Sequence, residues 1–162
     1  MVGDMTATTN DTRQKQILRG EVWFGSFHSN TLGVDAIGTW LFVTTDVNEV
    51  EFNLEIVAKT SLTIKLWETP TVNFAGVAVT PINMRIASSN TTSVTTKGDG
   101  TVSSAGGELF SYDIYAEWQP DINPFKEGSG VTLTANNVWG IQILNTGIST
   151  TDVNMSWFFR EI

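Results

Sequence analysis

His28 is the only histidine of the chain, and it stands in the stretch Ser26-Phe27-His28-Ser29-Asn30. Acyl transfer of the triad type needs a nucleophile, a base and a third group that orients the base. No G-x-S-x-G stretch accompanies His28, and there is no cysteine to act as a thiolate. A single histidine at a strand end reads as a surface residue. A metal site would need carboxylates for the rest of its shell, and no H-E-x-x-H or similar spacing supplies them. Glycoside hydrolysis needs two carboxylates flanking one bond. Glu49, Glu51 and Glu55 share one strand face, and Asp113 and Glu117 share another. That spacing is what alternation along a strand produces, and charges on an outer face protect a sheet from edge-to-edge pairing. Thr96-Lys97-Gly98-Asp99-Gly100-Thr101 reads as a turn and lacks the acidic array of a calcium loop. Ser103-Ser104-Ala105-Gly106-Gly107 lacks the lysine of a phosphate loop. The expectation is a chain without catalytic residues, metal or cofactor.

The aromatic residues offer another chemistry, because sugars stack on exposed rings. Six tryptophans are present, at positions 23, 40, 67, 118, 139 and 157. Trp139 shares parity with Ile141 and Ile143, and Trp157 with Val153, Met155 and Phe159, so both belong to a core. Trp67 breaks this pattern. Parity puts it outside with Thr63 and Lys65, where a large aromatic marks a subunit interface or a ligand platform.

The elements that must position these residues are strands. Apolar side chains occupy every even position from Val50 to Leu66 except Thr60. One straight strand of that length would be unusual, so a break is expected at Ala58–Ser61. A three-residue hairpin loop there would set Ile56 opposite Ile64, and Glu55 opposite Lys65 on the outer face. A bend carrying the chain from one sheet to the other keeps the same buried parity. In both cases Phe52, Leu54, Ile56, Leu62, Ile64 and Leu66 are core. Further strand-like runs are Glu21–Phe27, Ile37–Thr44, Leu109–Trp118, Val131–Thr134, Val138–Asn145 and Val153–Arg160. Thr69–Gly107 reads as a long irregular section with one short strand at Thr92–Thr96, and Asp121–Gly130 as a loop. No stretch shows a capped helical period. About eight strands in one domain predict an all-β fold, a two-sheet, jelly-roll-like β-sandwich spanning residues 20–162. Residues 1–19 are polar and aperiodic and are expected to form an extended N-terminal arm.

With 162 residues the chain can bury a core without disulfides or metal. The absence of cysteine fits assembly in a reducing cytoplasm, and no run is long enough to span a membrane as a helix. The net charge is −8; the arm holds Arg13, Lys15 and Arg19 against Asp4 and Asp11, a net +1, which leaves −9 on the rest. An acidic body disfavours direct contact with nucleic acid. It leaves the basic arm able to dock on an acidic neighbour.

Several stretches taken in order resemble a known group. Leu66-Trp67-Glu68-Thr69-Pro70 is followed by a glycine-containing loop and then by Pro81-Ile82-Asn83-Met84-Arg85. A Ser/Thr-rich strand and a glycine-rich turn follow. Val131 to Asn145 gives a leucine, a turn and an aromatic strand, and the chain closes on Trp157-Phe158-Phe159-Arg160-Glu161. This order is similar to small β-rich virion proteins of tailed bacteriophages, of the head decoration, auxiliary capsid or head-fibre type. In that group an aromatic pair often stands directly before the final Glu, whereas here Arg160 intervenes, and a tyrosine often stands at Trp139. The resemblance implies a non-enzymatic shell component, often a trimer, that binds the major capsid protein or other virion proteins and resides in the virion. It implies structural roles for the P-x-N-x-R element. Pro81 would fix how the chain enters it, Asn83 would brace a turn, and Arg85 would bridge carbonyls or a neighbour's carboxylate. The interface residues expected are thus Arg13, Lys15, Arg19, Trp67, Pro81, Asn83 and Arg85. A carbohydrate-binding module or a tail or baseplate component is the alternative, with a glycosidase fragment weaker.

Overall fold

Alternation dominates the chain from Val22 onward, and a pleated strand with one apolar face must bury that face against another sheet. The computed structural model describes the backbone of residues 5–114 and 130–162, and side chains from Thr12 onward. Glu117, Trp118 and the loop expected at Asp121–Gly130 lie outside the described residues, apart from Gly130 itself. One helix and twelve strands are present among those described, all strand pairs antiparallel.

Helix α1 spans Met5–Arg19. The strands are β1 (Trp23–Leu32), β2 (Thr39–Thr44), β3 (Val50–Ala58), β4 (Leu62–Glu68), β5 (Thr71–Phe74), β6 (Val77–Val79), β7 (Ile82–Asn83), β8 (Thr95–Ser104), β9 (Gly107–Ile114), β10 (Val131–Leu133), β11 (Val138–Asn145) and β12 (Thr151–Glu161). One sheet has the order β10-β3-β12-β1-β7. The other has the order β5-β8-β2-β11-β4-β9, with β6 also pairing β8. Setting β5 to β8 aside leaves two four-stranded sheets, β10-β3-β12-β1 and β2-β11-β4-β9, between which the chain alternates in jelly-roll fashion. These eight strands coincide with the eight expected from alternation. The other four all lie in Thr69–Gly107: β8 overlaps the end of the short strand expected at Thr92–Thr96 and runs on to Ser104, while β5, β6 and β7 fall where the section reads as irregular, and together they extend both sheets at one side of the sandwich.

Ala58–Ser61 is the bend between sheets, not a hairpin. β3 belongs to the five-stranded sheet and β4 to the seven-stranded one. Glu55 therefore lies opposite Ser156, and Lys65 makes its ion pair with Glu108 at 3.1 Å instead. The bend is held by the buried Asn145. Its amide donates to Leu32 O at 3.0 Å and Ser149 O at 2.7 Å, and its oxygen accepts from Thr60 Oγ1 and Gly147 N, both at 3.0 Å. The predicted core residues Phe52, Leu54, Ile56, Leu62, Ile64 and Leu66 are all buried, as are Trp139 and Trp157.

The stretch Thr96–Thr101 is not a turn but part of β8, with an extra residue relative to β2 between Trp40 and Phe42. Asp99 takes the left-handed conformation there, φ +57°, and accepts from Ser29 Oγ on β1 at 2.6 Å and Thr39 Oγ1 on β2 at 2.8 Å. The bulge turns its two flanking glycines to opposite faces. A Cβ on Gly98 would sit 2.7 Å from the Phe27 ring, and one on Gly100 would sit 2.2 Å from Phe42.

The arm is helical rather than extended. Gln14, Lys15, Gln16, Leu18 and Arg19 are good helix formers. The helix ends in a Schellman motif, with Gly20 at φ +72°, Gly20 N bonded to Ile17 O at 2.9 Å and Glu21 N to Gln16 O at 3.0 Å. Aperiodic polarity misled the expectation, because from Thr12 onward α1 buries only a narrow stripe.

Candidate binding surface

From Thr12 onward α1 meets the sandwich along one face. Arg13, Gln16 and Ile17 are partly covered, while Thr12, Gln14, Lys15, Leu18 and Arg19 are exposed. The spacing i, i+3, i+4 defines one helix face. The Arg13 guanidinium lies 4.4 Å from the centroid of the Phe158 ring, a cation–π contact. Phe158 in turn packs on Phe24 at 5.2 Å between centroids. Both phenylalanines point outward from the five-stranded sheet, whereas their neighbours Trp23 and Phe159 stack inward at 5.8 Å.

The Pro81–Arg85 element is built onto this junction. β7 pairs with the start of β1, Ile82 opposite Phe24 and Asn83 opposite Trp23. The Asn83 amide donates to Gly20 O at 2.9 Å, and its oxygen accepts from Arg85 N at 2.9 Å. Asn90 donates to Arg19 O at 3.1 Å and to Gly20 O at 3.0 Å. The carbonyls that a helix C-terminus leaves unsatisfied are thus taken by two asparagines from the inserted section. Gly20 has no room for a side chain, since a Cβ would fall 2.3 Å from Ser88 Oγ.

Glu161 closes the same corner. Its carboxylate accepts from Thr92 Oγ1, from Ser93 N at 2.9 Å and from Asn48 Nδ2 at 2.9 Å. Partial burial pushes its carboxyl up. The hydrogen bonds from Thr92, Asn48 and the backbone of Ser93 and Val94 together outweigh that, and the pKa falls below the ordinary value. A shallow groove runs here between Gly20, Glu21, Trp23, Asn90 and Glu161. Arg160, the residue that interrupts the terminal aromatic-Glu sequence, points outward and makes a two-pronged contact with Glu51, at 2.7 and 2.9 Å.

The structure therefore brings together six of the seven expected interface residues: Arg13, Lys15, Arg19, Pro81, Asn83 and Arg85. Asn83 braces a turn. The Arg85 side chain is exposed and makes no hydrogen bond or ion pair among the described residues. Alternation alone did not point to the exposed aliphatics of this corner: Leu18 at 70 %, Ile82 at 60 % and Ile86 at 94 % exposure. The signal for the corner was Leu18-Arg19-Gly20, a basic last turn followed by glycine, which is a helix stop.

Trp67 is elsewhere, on the outer face of the seven-stranded sheet. It is half-covered by residues of its own face. Its indole N–H donates to Gln142 Oε1 at 3.0 Å, Trp40 packs at 6.1 Å between centroids, and Lys65 Nζ lies 5.7 Å from its ring. Trp40 and Phe42 are buried on this outer face, against Gly140 and Gly100 respectively. Trp67 is thus the exposed margin of a second aromatic cluster, and its outward position is met in part within the chain. His28 is exposed. Its Nδ1 is hydrogen-bonded to Asn154 Oδ1, which raises its pKa, helped by Asn30 and Asp152 against some desolvation.

No family model matches the chain, and neither a curated protein nor a solved structure matches it significantly.

Proposed function

We propose that this chain is a virion structural protein of a tailed bacteriophage, a capsid decoration or cement protein that acts by binding and not by catalysis. The observation that supports this most is the corner around Gly20. The Pro81–Arg85 element, which carries much of the sequence resemblance, is used there to brace the helix and to present Arg85 with Ile82 and Ile86 outward. A surface on which exposed cations and aliphatics stand side by side is suited to contact with another protein. The partners on this reading are further copies, as a trimer, and the major capsid protein. The site of action is the virion, assembled in the host cytoplasm. The mechanism is mass action: a protein that binds only the assembled lattice stabilises it, by about 2.7 kcal/mol per site at a free concentration of 100 Kd.

Purified protein mixed with shells of its phage should cosediment at a fixed saturating ratio and raise their disruption temperature. Absence of binding to shells overturns the reading, and binding to tails alone moves the protein to a tail or baseplate role.

A second reading, a glycan-binding module, is favoured by one feature. The half-exposed Trp67 ring is bordered by Lys65, Glu108 and Gln142, a stacking platform with hydrogen-bonding groups beside it. A glycan array probed with the wild type and with Trp67→Ala separates the two. Binding that disappears with the indole would install this reading in place of the first.

A further inference from the structure

At one side the seven-stranded sheet ends on an exposed edge. β8 has β2 as its neighbour on one side; on the other, β6 pairs with its first half and β5 with its second. β5 and β6 thus make one edge from Thr71 to Val79, with a bend at Gly76, φ +84°. Among the described residues no further strand pairs with either. Every second residue of such a strand turns its N–H and C=O away from the one partner it has, so the edge carries unpaired backbone groups. Phe74 and Val77 are 56 % and 55 % exposed. Val77 pairs with Gly98, where a Cβ would point at the Phe27 ring, so Val77 stands on the core side of its sheet and is still exposed. The five-stranded sheet, which ends on this side in the two-residue β7, leaves it uncovered.

Edges are ordinarily guarded by charged side chains or by proline. β9, at the opposite edge of the same sheet, carries Glu108 and Asp113. Residues 69–84 carry no charged side chain, and Pro70 and Pro81 stand outside the edge. The chain as a whole carries −8. A basic partner would be matched by carboxylates along the edge, and a different acidic one by lysines. A neutral edge on an acidic molecule fits a partner of the same sign that has to meet it where repulsion is least. A second copy is that partner, because it brings an edge equally neutral, equally apolar and equally unpaired.

We propose that the β5–β6 edge joins two copies as an antiparallel pair about a two-fold axis, so that the seven-stranded sheet of one molecule runs on into that of the other. The axis keeps like faces together, so Phe74 and Val77 of each copy shield those of the other. The contact is isologous and closes after two copies, which removes the edge. It goes beyond the proposed function, since a ring of three copies requires other surfaces.

The chain has no cysteine, so single cysteines placed along the edge report their own neighbours. The variants are Thr71→Cys, Asn73→Cys, Phe74→Cys, Val77→Cys and Ala78→Cys, all at exposed positions, with Val57→Cys on the other sheet as the control. Residues opposite each other in an antiparallel pair have Cα atoms about 4.5–5.5 Å apart, within reach of a disulfide. Mild oxidation should link two copies most at the position nearest the axis, less on either side of it, and not at position 57. Phe74→Glu with Val77→Glu should keep the circular dichroism spectrum and weaken association in sedimentation at least about tenfold. Added salt should hold or tighten the wild-type dimer, because it screens the repulsion between two acidic bodies. A wild type that stays monomeric at every concentration overturns the proposal. So do linking that is equal at all positions, a dimer indifferent to the two glutamates and a dimer that salt dissociates. A monomer whose shell binding is lost with the two glutamates gives the edge to a strand of the capsid instead of a second copy. A dimer that ignores shells keeps this contact and sinks the proposed function; a monomer that decorates shells does the reverse.

Discussion

Leu54 on β3 and Ile64 on β4 are buried in the same core although they belong to different sheets. Truncating either to alanine removes three carbons from a packed interior. Each change should cost about 2–5 kcal/mol, read as a lowered midpoint in urea. Unchanged midpoints for both would mean that the parity assignment is wrong. Glu161 makes a prediction of a different kind. Its folded-state pKa is depressed below the ordinary 4.5. It therefore contributes stability that is complete above that value and lost as the pH falls from there through the folded pKa. Glu161→Gln should remove this part of the acid dependence, so that the difference in melting temperature between variant and wild type shrinks as the pH drops below about 4.5. A difference that stays constant from pH 7 to pH 3 would show that the carboxylate does not hold the corner.

Among the elements, the turn from β11 to β12 and the bend from β3 to β4 depend on each other through Asn145. All four of its hydrogen-bonding positions are used. Asn145→Ala leaves carbonyls of Leu32 and Ser149 and donors of Thr60 and Gly147 without that partner. The expected loss is at least about 3 kcal/mol, since each group left buried and unpaired costs about 1–3 kcal/mol. Asn145→Asp keeps the shape but aims a carboxylate at two carbonyl oxygens, and it should be comparably damaging. An aspartate variant as stable as the wild type would mean that shape, and not the donor pair, is what the bend requires. Both measurements are thermal melts at neutral pH.

At the scale of the whole molecule, α1 touches the sandwich along one narrow face over its described residues from Thr12 to Arg19, while the two sheets bury the core between themselves. Deleting residues 1–19 should therefore leave the β-sandwich folded, with an unchanged strand spectrum in circular dichroism. The Arg13–Phe158 contact and the capping bonds to Arg19 O and Gly20 O are local, so the melting temperature should fall by only a few degrees. The same deletion removes much of the basic corner, and binding to shells should weaken with it. An unfolded truncation would show that the helix is part of the core, and shell binding as tight as before would separate the helix from the interface.

How much of this was legible in the sequence depended on how each feature is encoded. A strand with one buried face writes its burial into every second residue, so the eight strands of the jelly roll and the core from Phe52 to Leu66 could be read directly. Their partners could not. The same alternation served a hairpin and a bend equally well at Ala58–Ser61, because both keep the parity; the pairing of β3 with β12 and of β4 with β11 and β9 makes it a bend, which Asn145, 85 residues away from Thr60, braces. The three short strands β5, β6 and β7 sit at sheet edges and are largely exposed, so no alternation marks them, whereas β8 is long and does alternate in burial, and its glycines disguised it. In Thr96–Thr101 the glycines that suggest a turn make room for rings that arrive from β1 and β2. The helix has little apolar face to announce it, and its clearest sign was a stop signal at Gly20. The candidate site is divided in the same way. The residue types, arginines and a P-x-N-x-R element, were visible in the chain. Their convergence on one corner, apart from Trp67, was decided by the pairing of β7 with β1, a contact between segments about 60 residues apart that no local pattern encodes.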